Sequence, residues 1–127
     1  MISTYEEYIT MPGSLTLEEM QSLHREIKEE VGYDEDALDL YADLIDAVAK
    51  YFPYRANWHF WDREKKIAED SVRTKRHDRV IDCFNILERY LKKKGKSAVW
   101  REILGEDRKR IGDFACYLVF AESLNAR

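Results

Sequence analysis

Three histidines, two cysteines and 25 carboxylates are the side chains from which this sequence could assemble a reactive centre. A carboxylate–histidine metal site in a helical protein needs a glutamate three residues before a histidine on each of two helices, so that both ligands share a face. The residues three before His24, His59 and His77 are Gln21, Ala56 and Thr74. His59 and Asp62 do stand at helical spacing, but one such pair falls short of the three or four ligands a zinc-type centre takes. No metal site and no cofactor is expected. Cys83 and Cys116 lie within apolar segments without an evident activating neighbour, and read as buried free thiols. The sequence has no G-x-S-x-G elbow and no glycine-rich phosphate loop. "DEDALD" at 34–39 starts like a calcium loop, then lacks its glycine and distal glutamate. No catalytic residue is assigned, and the chain reads as a non-enzyme.

Two non-catalytic constellations are stronger. Between Arg73 and Arg110 there are 13 Lys or Arg against 6 Asp or Glu. Arg73, Lys75, Arg76, His77 and Arg79 form one cluster, and Lys92, Lys93, Lys94 and Lys96 another. Of the basic residues, Arg73, Lys75, Arg76 and Arg79, with Arg108, Lys109 and Arg110 at the opening of the last helix, are the candidate phosphate-binding residues. "AVWREILGEDRKRIGDF" has the layout of a helix-turn-helix, but "DFACYLVFA" leaves its second helix no polar face for a groove. The second constellation is the aromatic stretch "YFPYRANWHFW" at 51–61. At 100° per residue Tyr54, Trp58 and Trp61 share one face, with Ala56, Phe60 and Ile67 on another flank. A helix apolar on two flanks is wedged between neighbours, so most of these rings read as core. Tyr54, Trp58 and Trp61 are nonetheless the candidate partner-binding residues, with Trp61, beside Asp62 and Arg63, the one to be partly exposed.

These groups must be placed by helices. Only 5 Gly and 2 Pro interrupt 127 residues. Thr16 and Glu19 form a capping box ahead of a stripe Leu17, Met20, Leu23, Ile27 and Val31, closed by Gly32. Asp34 caps a second helix with the stripe Leu38, Tyr41, Leu44, Val48 and Phe52, which Pro53 should end. Further helices are expected over about 55–70, 72–94, 98–104 (capped by Ser97) and from Asp107 onward, the last apolar nearly all round and therefore central. A short acidic opening over 1–13 precedes them. The expectation is an all-α, single-domain bundle of about five helices, beginning with an acidic antiparallel hairpin.

Charge is divided along the chain. Residues 1–52 carry 13 acids and 3 bases, residues 53–127 carry 12 acids and 18 bases. Asp36, Asp39, Asp43 and Asp46 form an acidic stripe on the second helix, an ordinary wet face or a dock for a basic partner. No apolar run is long enough to span a bilayer, and the opening residues have no secretory pattern, so a cytoplasmic location is expected. The functional expectation is a small interaction or regulatory protein working through protein–protein contacts, with an unidentified protein or with itself as a homodimer. The alternative is a nucleic-acid-associated regulator using the basic segment 73–110.

Overall fold

The computed structural model describes residues 13–125, which form five α-helices and a short 3-10 turn, with no strand among them. The acidic opening lies outside the described residues. Helix α1 (Leu17–Val31) starts at the capping box: Thr16 Oγ1 accepts from the Glu19 amide at 3.0 Å, and Glu19 Oε1 accepts from the Thr16 amide at 2.9 Å. Its stripe buries Met20, Leu23, Ile27 and Val31. Gly32, at φ 51°, ends it in a region that strains any residue with a Cβ. Asp34 then caps α2 (Glu35–Asn57), its carboxylate accepting from the Ala37 amide and, from the far side of the fold, from the Tyr90 hydroxyl at 2.8 Å.

Pro53 does not end α2; the helix runs one more turn to Asn57. Proline removes the amide that would bond the Ala49 carbonyl. Ala49 and Pro53 both lie on the exposed face, so water can take that carbonyl and the helix survives. The expected helix over 55–70 is instead divided. A 3-10 turn (Trp58–Phe60) follows α2, and Asp62, accepting from the Lys65 amide at 2.8 Å, caps a 31-residue α3 (Arg63–Lys93). Phe60 and Ile67, read as core, are 65% and 68% exposed, because the break rotates them off the face that packs. Leu38 is also exposed, unlike the rest of its stripe, of which Phe52 is half-buried.

Helix α4 (Val99–Leu104) is not capped by Ser97. Glu30 of α1 receives the Ser97 hydroxyl, the Ala98 amide and the Trp100 indole N–H at 3.2, 3.0 and 2.7 Å, and holds Ala98 at φ 48°. Helix α5 (Arg108–Asn125) is central as expected, with every residue from Ile111 to Leu118 buried. The tightest packing is α2 on α3, then α2 on α5, whereas α1 touches α2, α4 and α5 alike rather than pairing chiefly with α2. Phe84 sits at the centre, 6.0 Å from Phe114 and 6.3 Å from Trp100 between ring centroids. Each such fully buried apolar side chain contributes about 1.5–3 kcal/mol.

Candidate anion-binding site

Where α2, α3 and the first turn of α5 meet, a cleft of about 290 Å³ is lined by Tyr51, Arg55, Arg73, Thr74, His77, Arg108 and Lys109. Helical spacing explains the convergence. Tyr51 and Arg55 are four apart on α2, Arg73 and His77 four apart on α3, and each pair therefore shares a face. Gly112 brings α5 close: a Cβ there would stand 3.1 Å from the Tyr51 hydroxyl and 3.4 Å from Arg55 Nε. No carboxylate lines the cleft among the described residues.

Carboxylates stand behind it instead. Arg55 pairs with Asp113, Arg73 with Asp70 at 2.9 Å, and Arg108 with Asp78 at 3.2 Å. Asp113 is itself held by the Ser14 amide and hydroxyl, each at 2.8 Å. Burial acts to raise the Asp113 carboxyl, but Ser14 and Arg55 outweigh it and keep it below the usual carboxylate range. Burial likewise opposes the Arg55 charge, and the bond to Asp113 outweighs it. Each arginine bonds its aspartate through Nη2; the largely buried Asp113 orders the Arg55 guanidinium, while the Arg73 and Arg108 pairs are solvent-exposed and bias their side chains only weakly. Lys109 makes no ion pair among the described residues. The α5 N-terminus adds little, because Asp107 Oδ1 already accepts from the Lys109 and Arg110 amides.

His77 is 5% exposed, with the Tyr51 ring edge-on at 5.2 Å. Its Nε2 lies 3.1 Å from the Arg108 carbonyl oxygen, an acceptor, so Nε2 carries the proton and Nδ1 bears a lone pair. Nδ1 is buried and has no partner among the described residues. Burial pushes the imidazole below its ordinary value, with the Arg108 carbonyl opposing. Burial pushes the Tyr51 hydroxyl up to about 12, so it remains a donor at neutral pH.

An aromatic ledge adjoins the cleft through Arg73, whose guanidinium carbon stands 4.0 Å from the centre of the Trp58 ring. Trp61 lies 5.7 Å from Trp58 and 5.6 Å from Tyr54, with Lys65 above it at 4.4 Å. All three rings are partly exposed. The reading of this stretch as mostly core therefore holds for Tyr51 and Ala56 but not for the ledge.

Of the seven candidate phosphate-binding residues, Arg73, Arg108 and Lys109 come together here. Lys75, Arg76 and Arg79 line a separate depression of about 260 Å³ with Lys50. Arg110 is half-buried outside both, its Nε without a partner. Tyr51, Arg55, Thr74 and His77 were not anticipated. Reading Pro53 as a helix end separated Tyr51 from Arg55, and His77 stood in the basic cluster over 73–79 without being given a role of its own. His59 is exposed on the 3-10 turn and Asp62 is a helix cap. No group of three metal-ligating side chains occurs among the described residues. The buried face of α5 leaves no recognition helix for a groove. None of the acids of the first half pairs with a base of the second among the described residues, so the two charge halves do not neutralise each other directly. No helix of the described residues is long and apolar enough to cross a membrane. No protein-family model, curated protein or solved structure matches this chain.

Proposed function

We propose that this chain is a non-enzymatic, cytoplasmic interaction protein that grips a phosphoryl group on a partner protein in the cleft between α2, α3 and α5. The observation that carries this reading is the convergence of three arginines, each paired with an aspartate, and a lysine, from three helices, on a cleft whose described lining holds no carboxylate. Planar guanidinium groups match the oxygens of a phosphoryl group, and Arg55, held by the buried Asp113, is ordered before the ligand arrives. The ledge of Tyr54, Trp58 and Trp61 supplies apolar contact to the chain carrying that group, as aromatic rings do at binding hot spots. The two buried free thiols, Cys83 and Cys116, suit a reducing compartment.

A second reading is supported by the Arg73–Trp58 stack: cations interleaved with rings also suit single-stranded nucleic acid. The exposed acidic stripe Asp36, Asp39, Asp43 and Asp46 argues against it, because a long polyanion is repelled where a single phosphoryl group is not. Tryptophan emission separates the two. At about 150 mM salt, capped phosphotyrosine amide should perturb it saturably and capped tyrosine amide should not. Single-stranded DNA without a terminal phosphate should bind only in the non-specific range, roughly 10⁻⁴ to 10⁻⁶ M. A submicromolar, salt-steep DNA complex lost in Arg73→Gln would replace the first reading by the second.

A further inference from the structure

We infer that the cleft takes a dianionic terminal phosphate, the charge state of a monoester, and that His77 takes up one proton as that group binds. The inference rests on the cleft reading above and adds the ligand's charge state to it. Arg55, Arg73, Arg108 and Lys109 bring four positive charges, and the paired Asp113, Asp70 and Asp78 bring three negative ones. One net positive charge remains, enough for a monoanion. A dianion leaves one negative charge in a partly desolvated site, where an unbalanced charge is costly.

His77 is the group placed to supply the second positive charge. It forms part of the cleft wall, and its buried Nδ1 has no partner among the described residues to compete for a proton. The groups around it come from all three elements: Tyr51 and Arg55 on α2, Arg73 and Asp78 on α3, Arg108 and Lys109 on α5. Burial and the neighbouring Arg108 and Arg55 disfavour a charged imidazole and hold His77 below the ordinary histidine range. A dianion reverses the sign of that local field, and in a low-dielectric wall the reversal is strong. Binding and protonation therefore favour each other, and affinity rises as pH falls through the range between the free and the ligand-bound His77 pKa.

The test is a histidine NMR titration of the intact chain from pH 5 to 8, in sodium chloride and in sodium sulfate of matched ionic strength. Sulfate is a dianion throughout, so any pH dependence belongs to the protein. His77 should titrate below about 6.5 in chloride and rise by about one unit in saturating sulfate, with sulfate bound about tenfold tighter at the acid end than at the alkaline end. Methyl phosphate should displace sulfate and keep the rise at His77, whereas dimethyl phosphate, a monoanion that the cleft balances without a proton, should move the His77 titration less. His77→Asn identifies the resonance; if that variant fails to fold, the contact with the Tyr51 ring identifies it instead. Sulfate that perturbs Arg73 and Trp58 but leaves the His77 titration unmoved would overturn the proton uptake and leave the cleft reading standing. Dimethyl phosphate raising the His77 titration as far as sulfate does would overturn the link between the second negative charge and the proton. Sulfate that perturbs no cleft resonance would overturn both the inference and the cleft reading.

Discussion

Glu122 ties the end of α5 to the rest of the fold, and replacing it with glutamine removes a charge while keeping the shape. His24 Nε2 and the Tyr41 hydroxyl both donate to Glu122 Oε1 at 2.6 Å, and Lys28 Nζ stands 3.7 Å away. The His24 bond does most to lower the carboxyl; burial opposes it, Tyr41 and Lys28 assist, and the result is a pKa of about 2. Set against an unfolded value of about 4.5, that difference corresponds to about 3 kcal/mol of stability at neutral pH. The side chain is 20% exposed and the glutamine oxygen still accepts one of the two bonds, so Glu122→Gln should lose about 1–2 kcal/mol at pH 7. For a domain of this size that is a fall in Tm of roughly 4–8 °C. Because the folded pKa is the lower one, the stabilisation is complete above pH 4.5 and disappears as pH falls toward 2. Urea melts of both proteins at pH 7, 5, 4, 3 and 2.5 should therefore show a gap that closes across the acid range, since protonated Glu122 resembles glutamine. A gap of constant size would mean that the loss does not come from the ionised carboxylate; no gap at pH 7 would refute the argument outright.

Two further substitutions probe the architecture that positions the cleft. Glu30→Ala should leave the buried Trp100 indole N–H and Ala98 amide without acceptors and cost about 2–4 kcal/mol, read as a lower urea midpoint with faster hydrogen exchange in α4. Pro53→Ala should keep the fold and raise thermal stability by up to about 2 kcal/mol, because the restored amide can bond the Ala49 carbonyl on the exposed face of α2; a destabilised variant would show that the proline is needed where it stands.

The helical architecture was legible because its signals are local. The Thr16–Glu19 box, the Asp34 cap and the four-residue spacing of Leu23, Ile27 and Val31 each act within a turn or two of their own helix. The aromatic stretch was misjudged for a related reason. Periodicity assumes one unbroken helix, and whether Pro53 or Trp61 breaks it depends on which face meets water, which is a tertiary property. The cleft was legible only in part. Arg73, Arg108 and Lys109 stood out as members of charge clusters, yet nothing in the order of residues separates Arg73 from Lys75, Arg76 and Arg79, which belong to another depression. Nor does charge composition reveal that an arginine is paired: Arg108 and Asp78 are thirty residues apart and meet only because α3 and α5 pack together.

The central claim, that the cleft binds a phosphoryl anion, is tested most directly by calorimetric titration of phenyl phosphate into three proteins: the natural chain, the Arg73→Gln/Arg108→Gln double variant and the Lys75→Gln/Arg76→Gln/Arg79→Gln triple variant. Loss of charge-assisted hydrogen bonds worth about 1.5–3 kcal/mol each should weaken binding by at least about tenfold in the double variant. The triple variant, which removes more charge from the same stretch of α3 but none from the cleft, should bind nearly as the natural chain does. Equal losses in the two variants would reduce the site to diffuse surface charge, and a natural chain that takes up no phenyl phosphate would contradict the claim.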